Sequence, residues 1–333
     1  MPAGFAPIAG LKIGHAQDER ALTGCTVFLA EAGMTAACDL RGSATGTREL
    51  AALDPSHIAD QIHGLVLAGG SAFGLDAAGG VMRWLEARGA GFDAGVARVP
   101  IVPAAILFDL ALGEAKRRPD AAMGYQAAEA AREGPVTEGN VGAGTGASVG
   151  KLAGTECAMK AGIGCWTEPC AAMRGGTAQV AALAAVNAFG DVRDPATGRL
   201  LAGARTAPDS LELLDTAAAL RRGSAPQSFG RTAGPALNTV LVVVATDATL
   251  SRIEAGRLAV MASAAIARTI SPAFTRFDGD VLFALSCGPA DASRNLRADV
   301  NALGAAAADA VAAAILRGVS QAHSAGGLPG LAG

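Results

Sequence analysis

The chain has 333 residues, of which 51% are hydrophobic and 17% charged, with 44 glycines and a formal net charge of −3. This composition is typical of a core-rich globular protein and excludes a disordered or fibrous chain. The charge offers no basic surface for nucleic acid, so we expect no such partner. The six cysteines and four histidines show neither a disulfide framework nor zinc-ligand spacing, so no metal is expected.

Two further features bear on location. The N-terminus lacks the basic and then apolar segments of a signal peptide. The most apolar late segment, residues 302–316, is rich in alanine, contains Asp309 and is shorter than a membrane span. The sequence therefore predicts a cytoplasmic protein that does not enter a membrane.

The first part of the chain predicts short strands joined by turns, followed by strand–helix units. The predicted strands cover residues 11–15, 24–29, 35–40 and 62–68, and the predicted helices cover residues 76–88 and 120–132. Between them, residues 41–48 are predicted to form a loop near backbone carbonyls or an anion, or else a solvated turn. Residues 99–109 are apolar but contain two prolines, which favours a buried irregular segment or an edge strand. Asp109, at the end of that segment, could be functional or could cap the next turn.

Two glycine-rich segments were compared with known loop motifs. Residues 69–75 follow a predicted strand, but Phe73 stands where the nucleophile-elbow motif requires glycine, so Ser71 is expected to cap the next helix. Residues 138–151 lack P-loop spacing and match a dinucleotide-binding fingerprint only loosely. The glycines there favour a loop whose backbone approaches another group closely.

The second part of the chain predicts strands over residues 157–166, 179–192, 238–247 and 281–286. Helices are predicted near residues 210–222, 249–268 and 291–318, and the glycine-rich tail 324–333 is expected to be mobile. Lys160 stands in an apolar strand, where it either needs a carboxylate partner or lies exposed at an edge. Asn187 interrupts a buried strand and must tie down a turn or offer its amide to a ligand oxygen.

Thr239 stands where a breaker-rich segment, residues 223–235, gives way to the apolar strand. If the chain were cut before Thr239, the new α-amino group would lie beside the hydroxyl and could act as its base. Otherwise Thr239 merely opens the strand. Further on, Asp278 and Asp280 flank a glycine, a pattern that fits a turn, a hard-metal loop without EF-hand spacing, or a carboxylate pair that orients an ammonium.

Taken together in this order, these segments resemble one family. The segments that carry the resemblance are Leu22–Val27, Gly69–Ala77, Val99–Asp109, Gly139–Gly146, Asn238–Thr239 with Ala245–Ala248, and Phe277–Asp280. The family is that of N-terminal-nucleophile amidohydrolases, which includes the L-aminopeptidase D-amidase/esterases (DmpA-type), the β-peptidyl aminopeptidases and the 6-aminohexanoate-oligomer (nylon-oligomer) endohydrolases. The resemblance covers nearly the whole chain.

The resemblance implies an α/β (α+β) fold of αββα layers, with residues 1–333 in a single catalytic domain. It also implies self-cleavage between Asn238 and Thr239, which would give an α chain of residues 1–238 and a β chain of residues 239–333. The processed αβ units are expected to form a homotetramer.

The resemblance further implies roles for particular residues. Thr239 would be the nucleophile and its α-amino group the base, while Asn187 would donate to the oxyanion. Asp278 and Asp280 would hold Lys160 and the Thr239 ammonium in place. Tyr125 would lie near the nucleophile. Neither a metal nor an organic cofactor is implied.

Within the family, Thr239 together with the aspartate pair resembles the nylon-oligomer hydrolases more than the aminopeptidases, which tend to have Ser and a Ser/Glu pair at these positions. The expected substrate is therefore a small linear 6-aminohexanoate oligomer or polyamide. An aminopeptidase acting on small peptides and amides is the alternative. Two other classes stay open, a nucleotide-binding protein that uses the loop 142–150 and a non-catalytic scaffold.

Overall fold

The computed structural model describes residues 4–225, 238–288 and 296–333. Most of the breaker-rich segment 223–235, and the expected start of the last helix at residue 291, lie outside the described residues. The strands are β1 (Lys12–Asp18), β2 (Thr23–Leu40), β3 (Gly46–Arg48), β4 (Ile62–Ala68), β5 (Phe92–Asp93), β6 (Arg98–Val99), β7 (Ala104–Ile106), β8 (Ser148–Val149), β9 (Met159–Lys160), β10 (Ile163–Ala171), β11 (Thr177–Asn187), β12 (Asp191–Arg193), β13 (Leu200–Ala202), β14 (Thr239–Thr246), β15 (Ile270–Ser271) and β16 (Val281–Ser286). The helices are α1 (Ala77–Glu86), α2 (Ala121–Ala130), α3 (Thr216–Arg221), α4 (Arg252–Thr269) and α5 (Val300–Ser320).

The main sheet runs in the order β10-β11-β14-β16-β2-β4-β7-β3, with β1 paired to β2. The 18-residue strand β2 belongs to two halves of this sheet, because its first part pairs with β4 and its last part with β16. A register shift between Leu29 and Met34 lies between the two parts, and such irregularities bend a strand. The sequence predicted two separate strands here, where the structure has one strand that passes from one half of the sheet to the other.

The two halves of the sheet pack face to face, and helices cover both outer faces. One hydrophobic cluster lies between α4, α5 and the half that contains β11 and β14, with Val180, Val242 and Ile315 among its members. A second fills the space between the halves, for example with Phe28, Leu183 and Val243. A third lies beneath α1 and α2. This order of helix, sheet, sheet and helix is the predicted αββα layering, built by the alternation of side chains along each strand.

The helices begin at polar caps that the sequence supplies. Ser251 starts α4 with a capping box, in which its side chain accepts from the Glu254 N–H while the Glu254 carboxylate accepts from the Ser251 N–H. Asp120 and Asp299 accept from the first-turn N–H groups of α2 and α5. Ser71, by contrast, makes no side-chain cap to the following turn, so the expectation that it caps the helix is wrong.

Close packing of α1 on α2 depends on two glycines. A Cβ on Gly80 would stand 1.8 Å from the Ala121 carbonyl oxygen, and one on Gly124 would stand 1.9 Å from the Ala77 carbonyl oxygen. Both distances are far inside van der Waals contact. The two helices can therefore cross at this distance only because neither residue has a side chain.

The last helix and the tail differ from expectation. Helix α5 is long and apolar enough to cross a membrane by length and composition, but 61% of its most apolar window is buried inside the fold, which accounts for its apolar surface. The tail was expected to be mobile, yet Leu328 is buried and the Pro329 carbonyl accepts from the Lys160 N–H at 2.9 Å. Burial and this long-range hydrogen bond therefore hold the tail against the body of the protein.

Candidate active site around Thr239

Neighbouring strands place the predicted site residues on both sides of Thr239. Strand β14 is antiparallel to β11, and the register sets Asn187 opposite Thr239. On its other side β14 is parallel to β16, and a bridge pairs Asn238 with Asp278 just before the two strands begin. Because parallel strands begin at the same edge of a sheet, the Asp278–Asp280 segment lies beside the start of β14. The structure therefore brings Thr239, Asn187, Asp278 and Asp280 together.

The peptide bond between Asn238 and Thr239 is buried and held by hydrogen bonds. The Thr239 hydroxyl donates to the Asn238 carbonyl oxygen at 2.6 Å, and the Gly279 N–H donates to the same oxygen at 2.6 Å. The Asn238 N–H donates to the Phe277 carbonyl at 2.9 Å. Both Asn238 and Thr239 are at most 2% exposed. The hydroxyl thus lies beside the carbonyl it would attack in a self-cleavage reaction.

The two aspartates bind backbone groups around the nucleophile. The carboxylate of Asp280 accepts from the Val240 N–H at 2.7 Å, directly after Thr239, and from the Phe274 N–H at 3.4 Å. Asp278 accepts from the Phe189 N–H at 3.2 Å and from the Thr275 hydroxyl at 2.6 Å.

Both carboxyls are almost fully buried, and burial raises the pKa of each above its ordinary value. The nearby charge of Asp278 adds to this effect and takes the pKa of Asp280 to about 8.

The amide of Asn187 has a fixed orientation. Its Oδ1 atom accepts from Lys151 Nζ at 2.7 Å and from the Ser148 N–H at 3.1 Å. Neither of these groups can accept, so the oxygen must face them. The Nδ2 atom donates to the Phe108 carbonyl at 3.1 Å, and its second hydrogen has no acceptor among the described residues. Asn187 can therefore offer one N–H to a substrate oxygen, as an oxyanion donor does.

Lys151 is a site residue that the sequence reasoning missed. It is buried, and the one hydrogen bond of its Nζ to the described part of the chain goes to Asn187 Oδ1. Burial lowers the pKa of Lys151 to about 7, while the charges of Asp278 and Asp109 raise it. Its position at the end of the glycine-rich segment 138–151 is a sequence signal for a functional lysine. That segment matches no phosphate-binding motif, however, so the sequence alone indicated no chemical role for Lys151.

Lys160 is buried elsewhere, and its expected contact with the aspartate pair is not found. Its Nζ donates to the carbonyls of Gly144 at 3.3 Å, Ala147 at 2.9 Å and Ala161 at 2.5 Å. Burial lowers the pKa of Lys160 to about 7, and the carboxylate of Asp109 raises it. Three carbonyls match the three hydrogens of an ammonium. The hypothesis that Asp278 and Asp280 hold Lys160 is therefore corrected, because within the described residues its attracting carboxylate is Asp109.

Asp109 neither caps a turn with its side chain nor reaches Thr239. Its carboxylate accepts from the Thr23 hydroxyl and from the Gly70 N–H, each at 2.7 Å. Burial raises the pKa of Asp109 to about 6, against the opposing effect of these hydrogen bonds and of Lys160. Asp109 thus ties the segment after β7 to the segment after β4, and its charge attracts Lys160 without a direct hydrogen bond between the two.

The glycine-rich loop packs closely against other segments of the backbone. A Cβ on Gly144 would stand 2.5 Å from the Ile163 nitrogen, and one on Gly146 would stand 2.1 Å from the Leu22 carbonyl oxygen. Its amides are already used, since Gly144, Thr145 and Ala147 donate to carbonyls within the loop. A phosphate loop needs free N–H groups, so the nucleotide-binding alternative has no support here.

Tyr125 packs in a different part of the fold from the strand that begins with Thr239. It is on α2, a helix that packs on α1, β1 and β2, and it contacts the hydrophobic cluster beneath α1 and α2. The role of Tyr125 was implied by the family resemblance alone. Phe108, which precedes Asp109 in the chain, does contribute to the site, because its carbonyl accepts a hydrogen bond from Asn187 Nδ2.

A cavity lined by Phe108, Asp109, Ser148 and Lys151, among others, has a volume of about 10 Å³, which accommodates about one water molecule. Among the described residues, no group of three or more His, Cys, Asp or Glu side chains could hold a metal ion.

The fold has known counterparts. The L-aminopeptidase D-Ala-esterase/amidase of Ochrobactrum anthropi superposes with a TM-score of 0.68 at 19% identity, over 97% of this chain and 88% of that one, and is described as a variant of the Ntn-hydrolase fold. The protein described here thus has the fold of the N-terminal-nucleophile hydrolases. The model of peptidase family S58 matches residues 5–332. The chain belongs to peptidase family S58, and it is a hydrolase of amide or peptide bonds.

Relatives in sequence also match nearly the whole chain. A protein named an uncharacterized aminopeptidase from Mycobacterium tuberculosis (strain ATCC 25618 / H37Rv) is 42% identical over 348 residues, covering 97% of this chain and 95% of its own. A 6-aminohexanoate-oligomer endohydrolase from Kocuria sp. (strain KY2) is 29% identical over 316 residues, covering 92% of this chain and 83% of its own. The family resemblance seen in the sequence is confirmed.

Proposed function

We propose that the chain is a precursor that cuts itself between Asn238 and Thr239 and then acts as an N-terminal-threonine amide hydrolase. The observation that carries this proposal is the position of the Thr239 hydroxyl, 2.6 Å from the Asn238 carbonyl oxygen and opposite Asn187 in the sheet. A threonine that merely opened a strand would not need a buried asparagine and two buried carboxyls around it.

In the mature enzyme, Thr239 Oγ attacks the carbonyl carbon of the substrate amide. The new α-amino group of Thr239 accepts the hydroxyl proton and later passes it to the leaving amine. An ordinary α-amino pKa is about 8, close to working pH, which general-base catalysis favours. Asn187 Nδ2 donates to the oxyanion. In the full-length chain, the Asp280 carboxylate accepts a hydrogen bond from the Val240 N–H, directly after Thr239. In the cut enzyme, the same carboxylate holds the Thr239 ammonium in place.

For the substrate, we propose linear 6-aminohexanoate oligomers or polyamide. The aspartate pair and the nucleophilic threonine support this choice, and the Kocuria endohydrolase supports it by identity. An aminopeptidase acting on small peptides is the second candidate, because the mycobacterial relative at 42% identity carries that name. A homotetramer of cut units in the cytoplasm stays a prediction from the sequence.

Intact mass spectrometry of the purified protein tests the nucleophile. We expect two fragments that meet between Asn238 and Thr239, and a single full-length chain for Thr239→Ala. Thr246→Ala is the matched control, because it removes a buried hydroxyl from the other end of β14. Full-length wild-type chain after prolonged incubation would contradict the proposal.

The cut enzyme then distinguishes the substrate classes. Linear 6-aminohexanoate oligomers are supplied with a free amino end and with an acetylated one, beside aminoacyl anilides. An endohydrolase cleaves both oligomers, whereas an aminopeptidase needs the free amino end and cleaves the anilides. Turnover of anilides alone would replace the oligoamide substrate with the second candidate.

A further inference from the structure

We propose that the backbone N–H of Gly279 is the oxyanion donor for self-cleavage, separate from Asn187, which serves the substrate. This inference rests on the proposed self-cleavage at Asn238. The Gly279 N–H already donates to the carbonyl oxygen of Asn238 at 2.6 Å. That oxygen becomes the oxyanion when the Thr239 hydroxyl adds to its carbonyl carbon. A donor placed there before the reaction stabilises the charge without any rearrangement.

The direction of this N–H is set by the loop that follows β2. A trans peptide holds its C=O and N–H on opposite sides of one plane. The Asp278 carbonyl, in the same peptide unit, accepts from the Ala44 N–H at 3.0 Å. The Asp280 carbonyl accepts from the N–H groups of Arg41 at 3.0 Å and Gly42 at 3.1 Å. By holding the carbonyls before and after Gly279, the loop turns its N–H towards Asn238.

This arrangement leaves no room for side chains. A Cβ on Gly279 would stand 2.8 Å from Thr239 Oγ1 and 2.6 Å from the Ala44 carbonyl oxygen. A Cβ on Gly42 would stand 2.4 Å from the Asp278 carbonyl oxygen. Glycine at both positions lets the peptide, the loop and the nucleophile meet.

The reaction that Gly279 would assist is an acyl shift followed by hydrolysis. Thr239 Oγ forms a bond to the Asn238 carbonyl carbon, and the negative charge collects on the oxygen bound by Gly279. The C–N bond then breaks, the hydroxyl proton goes to the departing nitrogen, and an ester remains. Water hydrolyses the ester to give the Asn238 carboxylate and the free Thr239 hydroxyl and amine. No oxidant or reductant is involved.

The two donors have different positions relative to the nucleophile. Asn187 faces Thr239 from β11, and its amide is held by Lys151 and the Phe108 carbonyl. Gly279 faces the Asn238 carbonyl from the segment that leads into β16. The carbonyl of the chain's own α part and the carbonyl of a substrate can therefore be polarised by different groups.

An amide-to-ester replacement tests the donor directly. Cell-free translation with a suppressor tRNA charged with glycolic acid removes the N–H of Gly279 and adds no side chain. We expect the rate of cutting between Asn238 and Thr239, followed by intact mass, to fall by about 100-fold or more. The control is glycolic acid at Gly198, whose N–H donates to the Asp194 carbonyl at 2.7 Å in a turn remote from the site.

A second variant decides the matter if the ester chain does not fold. Gly42→Ala displaces the Asp278–Gly279 peptide by steric contact, and we expect it to slow cutting. Gly79→Ala is its control, because a Cβ there meets nothing within 4 Å.

The outcomes separate the two hypotheses. If the wild-type chain is cut and the ester at Gly279 or the Gly42→Ala change leaves the cutting rate within about threefold of its control, the role of Gly279 is overturned while self-cleavage stands. If the wild-type chain is never cut, self-cleavage itself is wrong.

Discussion

Lys151 and Lys160 stand nine positions apart in one segment and share burial and a pKa lowered to about 7. Their partners differ. Lys160 donates to three backbone carbonyls and is attracted by Asp109. Lys151 donates to the side chain of Asn187, opposite Thr239. Burial and a shifted pKa therefore do not identify the lysine of the site, whereas the hydrogen-bond partners do.

The difference has a chemical consequence. An ammonium held by backbone carbonyls fixes the course of the chain. An ammonium held by a side-chain amide fixes which way that amide points, and thus where its N–H groups are offered. We expect Lys160 to determine stability and Lys151 to determine activity. Each of the following predictions tests one side of that contrast.

The largest effect is expected for Lys160→Met. The change removes the Lys160 donor from the carbonyls of Gly144 and Ala147, each of which keeps one backbone N–H donor, and it removes a cation that attracts the buried Asp109 carboxylate. A hydrogen bond to a charged group contributes about 1.5–3 kcal/mol to the free energy of unfolding, so we expect a loss of about that size or more. Urea unfolding in the Thr239→Ala background, which keeps the chain uncut, measures this loss.

Lys12→Met is the control for losing a lysine in general. The Lys12 side chain is 39% exposed and pairs with Glu31 at 2.6 Å, and such surface pairs contribute about 0–1 kcal/mol. Equal losses for the two variants would mean that the carbonyl cage around Lys160 does not stabilise the fold.

Lys151→Met is expected to lower the free energy of unfolding less than Lys160→Met does, but to slow turnover more. Without the ammonium, the Asn187 amide can rotate away from the reacting carbonyl, and a misplacement of about 1 Å can cost 100-fold in rate. We expect kcat of the cut enzyme to fall about 100-fold with little change in KM. Lys151→Arg, which restores a donor, should recover part of this loss.

The double variant Lys151→Met with Asn187→Ala tests whether Lys151 acts through Asn187. If Lys151 acts through Asn187, its loss should matter little once the amide is gone, so the two effects should not add. Fully additive losses would show that Lys151 acts on the substrate or the nucleophile in another way.

Much of this site could be predicted from the sequence, because it depends on neighbours along strands. Thr239, Asn187, Asp278 and Asp280 each stand at the end of an apolar run or just before one. Strand ends that share a sheet edge come together once the strands pair. The αββα layers were implied by the family resemblance.

The lysine and the tyrosine could not be assigned in that way. Lys151 follows β8 and Lys160 ends β9, and the chain reverses direction between these two strands, so spacing does not say which amine reaches Asn187. The role of Tyr125 was implied by the family resemblance, but α2 packs on α1, β1 and β2 and carries Tyr125 into an outer helical layer. Residues on loops and on outer helices depend on tertiary packing, which no local pattern encodes.

The smallest effect is the pH dependence contributed by Lys151. Burial holds the pKa of Lys151 at about 7 in the folded protein, against an ordinary value of 10.5. Between these values the unfolded chain binds more protons than the folded one, so this group makes stability rise with pH. Relative to Lys151→Met, the wild-type free energy of unfolding should therefore increase from pH 7 to pH 9, by at most about 1.4 kcal/mol per pH unit.

Urea unfolding of both chains in the Thr239→Ala background gives this difference at each pH. Titrating groups remote from Lys151 cancel because the two chains share them, whereas Asp278, Asp109 and Lys160 interact with Lys151 and contribute to the difference. A difference that stays constant would mean that Lys151 keeps its proton in the folded state across this range. In that case the charges of Asp278 and Asp109 outweigh burial, and Asn187 is held by a permanent cation.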